Sequence, residues 1–219
     1  MMYKTLKEEI INCVIAPGTK ITEEDLVKRF NQSRTPVRSV IARLETEGLL
    51  EVKPKCGTFV TKIDLKSIYD AMEIRIATEE KVFFDIIGKL KQEQFDILNK
   101  ILDEQKDIIK MDSSINKSQL FYETDNRFHR TIFSFANKES VWFYLNEFMT
   151  PLNRARIMAN LRKNESVEDI YELHLKICEY LKTNKPKRLF KVFEAHLRSG
   201  FTGLDDVAKE YPGYFTKEK

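Results

Sequence analysis

Asp125 and His129 stand four residues apart in a segment whose apolar residues, Phe121, Phe128 and Ile132, recur at helical spacing. That spacing projects the carboxylate and the imidazole from one helix face, the face turned inward. His174 lies among Ile170, Leu173, Ile177 and Leu181, and His196 follows Leu189 and Phe193, each again on an apolar stripe. All three histidines of the chain are therefore aimed, with one aspartate, at a helical core. Taken singly, each would serve as an ordinary hydrogen-bonded core histidine. Together they make four metal-competent groups on three helical segments. Burying even a neutral polar group without a partner costs about 2–7 kcal/mol. A shared divalent cation would satisfy all four, and inward ligands on separate helices are how bundles build metal sites. Imidazole and carboxylate donors suit zinc, nickel, iron or manganese, and three histidines argue against calcium and magnesium.

A second cluster, Ser33-Arg34-Thr35-Pro36-Val37-Arg38, points to different chemistry. Val37, Val40, Ile41 and Leu44 recur at helical spacing and would face a core. Arg34, Thr35 and Arg38 then fall on the outward side of the first turn. Helices that read the DNA major groove reach base edges and phosphates with such N-terminal residues. Pro36 fits the same turn, where an N–H has no intrahelical partner to lose. Ser33 and Thr35 are both suited to be the N-cap.

The elements that must carry these groups follow from periodicity and punctuation. Residues 3–15 read as a helix with Leu6, Ile10 and Val14 inward, stopped by Pro17-Gly18. Thr19-Lys20-Ile21 makes a short extended bridge. Thr22 opens a second helix, with Asp25 as a weak form of capping box and Leu26 and Phe30 inward. Asn31-Gln32-Ser33 is a turn, the third helix runs to Glu47, and Gly48 closes it with a left-handed cap. Residues 49–53 and 58–61 read as two strands around the turn Pro54-Lys55-Cys56-Gly57. That order is a winged helix-turn-helix.

Beyond Asp64 the pattern is helical, over 64–88, 91–111, 117–136, 138–162, 166–183 and 186–199. Pro151 is expected to kink the fourth segment. The Lys/Glu-rich stretch 89–110 reads as a solvated helix face. The tail after Gly203 is expected to fold back as a short helix or to fray. Eight aromatic residues, Phe83, Phe84, Phe121, Tyr122, Phe128, Phe133, Trp142 and Phe143, fit a packed helical core. The expected fold is mainly α: a winged helix-turn-helix with a small β-hairpin wing over 1–63, then an all-α antiparallel bundle over 64–219.

Composition agrees with this division. Residues 1–63 hold 11 basic and 8 acidic side chains, so the whole formal charge of +3 sits there. A mildly basic head on a neutral body suits nucleic-acid binding by the head. Cys13, Cys56 and Cys178 are odd in number and far apart. They argue against a disulfide scaffold or a thiolate zinc site, and for a reducing compartment. No apolar signal core or membrane-length apolar run is present, so a cytoplasmic protein without a membrane partner is expected. There is no HExxH, and no serine or cysteine nucleophile adjoins a histidine, which speaks against a metal-dependent enzyme.

From Leu6 to Val60 the chain resembles the GntR family of bacterial transcription regulators. The resemblance runs through Pro17-Gly18-Thr19-Lys20-Ile21, the Ser33–Arg38 block, Arg43-Leu44-Glu45-x-Glu47-Gly48-Leu49 and Gly57-Thr58-Phe59-Val60. It implies that Arg34, Thr35 and Arg38 touch an operator, with Ser33 near a phosphate and the wing tip around Gly57 at the minor groove. Many members carry a basic residue just before the wing glycine. This chain has Cys56 there, leaving Lys53 and Lys55 to supply charge.

The body resembles the helical effector-binding (FCD-type) domain of the FadR-like branch, through Arg75-x-x-x-Glu79, Asp125-x-x-Phe128-His129, His174 and His196. In metal-containing members, one aspartate and three histidines at corresponding places bind a divalent cation. Open coordination positions there commonly receive a small carboxylate effector. Arg75 is the candidate for its anionic end, because a guanidinium pairs a carboxylate bidentately; an intrahelical ion pair with Glu79 is the competing use. The resemblance thus implies a homodimeric regulator, expected to be a repressor, that responds to a small organic acid. The alternative is a DNA-binding regulator whose metal is purely structural.

Overall fold

In the computed structural model, described for all residues except 113–114, 149–152, 155–165 and 217–219, the chain divides into two units. The first gathers Met1–Ile68 with Arg154 and residues 204–216; the second begins at Tyr69 and ends at Gly203. The tail therefore joins the first unit rather than the bundle that a boundary at 63/64 would give it.

The first unit is ordered by its caps. Helix α1 (Met2–Ile11) and helix α2 (Glu23–Phe30) flank the two-residue strand β1 (Lys20–Ile21). The Thr22 hydroxyl accepts from the Asp25 N–H at 3.1 Å, and Glu23, Glu24 and Asp25 place negative charge at the positive end of α2. Asn31 leaves α2 in the left-handed region. Helix α3 (Arg34–Thr46) then starts with Ser33 at the N-cap, which puts Thr35 inside the first turn. Its far end is a Schellman turn: Leu49 N–H bonds Leu44 O and Gly48 N–H bonds Glu45 O, both at 2.9 Å. Gly48 takes φ +70° there, a conformation that side chains with a Cβ rarely adopt.

Strands β2 (Leu50–Lys53) and β3 (Gly57–Val60) form the wing, and β1 joins them antiparallel in the order β1-β3-β2. The expected extended bridge is thus a third strand. Leu6, Ile10, Leu26, Val37, Ile41, Leu44, Leu49 and Val60 are buried together as this unit's core. Val14 is exposed, because α1 ends at Ile11 and the chain turns through Cys13 at φ 54° before Val14 could reach the apolar face. The tail forms a short helix, α10 (Leu204–Glu210), and then pairs with Ile63, whose N–H bonds Tyr214 O at 2.9 Å.

The second unit is built from helices. Helix α4 (Leu65–Ile86) leads into it, followed by α5 (Gln92–Ile109), α6 (Ile115–Phe135), α7 (Glu139–Phe148), α8 (Val167–Lys182) and α9 (Pro186–Ser199). Helix α5 packs on α6 and α8, and α8 packs on α9. The expected Pro151 kink lies outside the described residues. The stretch 89–110 is only half solvated: Phe95, Leu98, Ile101, Leu102, Gln105 and Ile108 make a buried stripe on α5. The Lys and Glu residues that dominate its composition occupy the other face, as an amphipathic helix requires. Phe83, Phe121, Phe128 and Phe133 are core residues, whereas Phe84 and Phe143 are exposed.

Candidate metal centre and nucleic-acid interface

Helix α6 presents Asp125 and His129 one turn apart, α8 presents His174 and α9 presents His196, and all four are buried. Their facing atoms converge. His196 Nε2 lies 2.8 Å from His129 Nε2 and 3.3 Å from His174 Nε2. Asp125 Oδ1 lies 3.3 Å from His174 Nε2 and 3.7 Å from both His129 Nε2 and His196 Nε2. Ligands about 2.1 Å from one ion are separated by roughly 3.0 Å at right angles and 3.4 Å at tetrahedral angles. These five separations bracket those values, and all four donor atoms lie within 4.8 Å of one another. A donor set of three nitrogens and one carboxylate oxygen therefore fits a divalent transition metal.

The surrounding residues orient the rings for that use. His129 Nδ1 meets Glu79 Oε2 at 2.6 Å, and His174 Nδ1 meets Gln105 Oε1 at 2.9 Å. With Nδ1 of each ring engaged by these acceptors, Nε2 of each is the atom that faces the centre. Phe128 stacks on the His174 ring at 4.3 Å and fixes its plane. His196 Nδ1 is buried with no hydrogen-bond partner among the described residues.

Electrostatics separates two of the imidazoles, His196 and His129. Burial, with His174 and His129 close by, holds the His196 pKa well below its ordinary value, so His196 is neutral and its lone pair available. Burial is the largest single effect on His129 and works against charge there too, but Glu79 and Asp125 together outweigh it and raise the pKa. Glu79 shows the counterpart: burial opposes ionisation, while His129 and Arg75 together keep the carboxyl below its usual range.

Arg75 lies on α4, buried, with Nε donating to Glu79 Oε1 at 2.6 Å. The competing use named from sequence is present. Its Nη2, also buried, has no hydrogen-bond partner among the described residues. Glu79 and Gln105 are the site residues that the sequence reading missed. Gln105 carried a signal, since it is the polar residue on the α5 apolar stripe. Glu79 was seen only as a neighbour of Arg75.

On the first unit, Ser33, Arg34, Thr35 and Arg38 are all exposed at the start of α3. Arg38 is the one with a defined local partner: its Nε donates to both Glu23 carboxylate oxygens, at 2.9 and 3.0 Å. That pairing does not consume the terminal Nη1/Nη2 fork. The wing tip turns through Lys55 at φ 62° and Gly57 at φ 124°, where a Cβ would come within 2.7 Å of Lys20 Cε. Lys53 and Lys20 each lie over the Phe59 ring, which keeps two positive charges beside the tip. Cys56 is exposed there. Among the described residues, no helix is long and apolar enough to cross a membrane.

Comparison with known proteins agrees with this layout. Residues 1–60 match the family described as "Bacterial regulatory proteins, gntR family", and residues 70–199 match the FCD domain. The HTH-type transcriptional repressor RspR of Escherichia coli (strain K12) is 26% identical over 219 residues, covering 99% of this chain and 93% of its own. A probable D-xylose utilization operon transcriptional repressor of Paenarthrobacter nicotinovorans is 25% identical over 174 residues, covering 78% and 72%. Two solved structures share the fold. E. coli McbR/YncC has a TM-score of 0.68 at 15% identity, with 96% of both chains covered. A GntR regulator from Rhodococcus sp. RHA1 has a TM-score of 0.68 at 16% identity, covering 93% of this chain and 95% of its own. With the gntR match over the head and the FCD match over more than half of its length, the chain belongs to the GntR family of bacterial transcription regulators, in the branch that carries an FCD domain.

Proposed function

We propose that this regulator is a homodimeric repressor whose operator binding responds to a small organic acid at a divalent metal held by Asp125, His129, His174 and His196. The observation that carries the reading is the convergence of four buried donor atoms from three helices at ligand-to-ligand distances. Zinc, nickel, iron and manganese all suit the set. Four protein ligands leave room in a larger coordination sphere for a carboxylate. Arg75 Nη2, buried and without a hydrogen-bond partner among the described residues, is a donor suited to its anionic end. Arg34, Thr35 and Arg38 would read the operator, with Ser33 at a phosphate and the tip around Gly57 at the minor groove. Exposed Ile74, Phe84, Phe143 and Tyr144 give the second unit apolar surface for pairing with another copy.

The burial of all four donors, and the engagement of Arg75 by Glu79, favour a second reading in which the metal is purely structural. Operator binding measured by fluorescence anisotropy, with zinc present and a panel of small carboxylates added, separates the two. Release of the operator by one carboxylate, blunted in Arg75→Lys, supports sensing. Retention of the operator across the panel supports the structural role. Charge reversal at Arg75 is a poor variant, since it would bury two carboxylates side by side against Glu79.

A further inference from the structure

We infer that Glu79 is a positioning residue for the metal centre, and that the chain Arg75–Glu79–His129 links the anion-binding donor to the metal. This rests on the metal reading above. Glu79 is buried and divides its two oxygens: Oε1 accepts from Arg75 Nε and Oε2 from His129 Nδ1, each at 2.6 Å. A carboxylate on Nδ1–H keeps the proton there, leaves Nε2 as the bare ligand and makes it a stronger donor to a cation. His174 Nδ1 meets a neutral amide oxygen, that of Gln105, and His196 Nδ1 has no hydrogen-bond partner among the described residues.

Arg75 completes the arrangement. Its Nε supplies the opposite charge that lets Glu79 remain ionised in a dry core, and its Nη2 remains for a further anion. An anion drawn to Nη2 competes for the charge that holds Glu79, so anion affinity and metal affinity are coupled. Thermodynamic linkage makes that coupling reciprocal.

The test uses the full chain and zinc, with affinity measured by competition against a chromophoric chelator. Glu79→Gln keeps an acceptor for His129 but removes the charge; Glu79→Leu removes both. Zinc affinity is expected to fall about tenfold in Glu79→Gln and toward a hundredfold in Glu79→Leu, the range found for such outer partners. In the zinc-loaded native chain, a long-range proton–nitrogen spectrum should show a strongly downfield His129 Nδ1 proton, moved upfield in Glu79→Gln. A role in packing alone would leave that proton and the Gln variant's affinity unchanged, and so would overturn the inference; the Gln variant decides the matter if Glu79→Leu does not fold. Absence of zinc uptake by the native chain would contradict the metal centre itself, and this inference with it.

Discussion

Arg38 shows how one side chain serves two requirements. Exposed arginine pays rotamer entropy when it is ordered, and the Glu23 carboxylate orders it before any ligand arrives. The pair raises the Arg38 pKa further, chiefly through the hydrogen bond to Glu23, so the guanidinium is charged at every relevant pH. Arg34→Ala and Arg38→Ala should each weaken operator binding roughly ten- to hundredfold, the scale of a lost bidentate base contact. Binding to unrelated DNA should change less, and thermal unfolding should not change, because both residues are exposed. Equal affinity of both variants and native chain for the operator would remove α3 from the recognition role. The four candidate ligands were legible at this scale because each is a polar group on an apolar stripe. Glu79 was not: it stands 50 residues from His129 in sequence, and spacing within one helix cannot report a contact made across two.

At the scale of elements, α4 begins with a cap that is also a pH-dependent contact. Asp64 Oδ2 accepts from the Ser67 N–H at 3.1 Å and its hydroxyl at 2.5 Å, and Oδ1 accepts from the Thr216 hydroxyl at 3.0 Å. The Ser67 hydroxyl does most to hold the Asp64 pKa below the usual aspartate value, against a smaller opposing effect of burial. A depressed folded-state pKa contributes stability above the unfolded value of about 4, lost as pH falls through the folded value. Asp64→Ala should therefore cost about 0.5–2 kcal/mol at neutral pH, with the difference from the native chain shrinking below about pH 4. Denaturant titrations at pH 7 and pH 3 give both numbers, and a difference that persists undiminished at pH 3 would argue against the cap. The helix order, the Gly48 stop and the wing hairpin were readable from caps and turn residues, which act locally. The third strand and the docking of the tail beside Ile63 were not, because they pair residues far apart in the chain.

For the whole molecule, a cation shared by α6, α8 and α9 would tie together segments that lie far apart in the chain. A ligand that binds the folded chain alone stabilises it by about 2.7 kcal/mol at a hundred times its dissociation constant. Chelation of a metal-loaded sample should lower the melting temperature by a few degrees, and readdition of zinc should restore it. A chelator-insensitive melting temperature would mean that the four donors are satisfied by one another. Cys178, whose thiol burial pushes up to about 12, will not compete for the metal as a thiolate.

The most direct test of the account is metal content per chain, by elemental mass spectrometry on protein purified without a chelator or a histidine tag, beside His129→Ala. The account predicts about one transition metal ion per protomer in the native chain and little in the variant. No metal in either, before or after reconstitution, would leave a DNA-binding regulator whose histidines are core residues, and would contradict a metal-centred sensor.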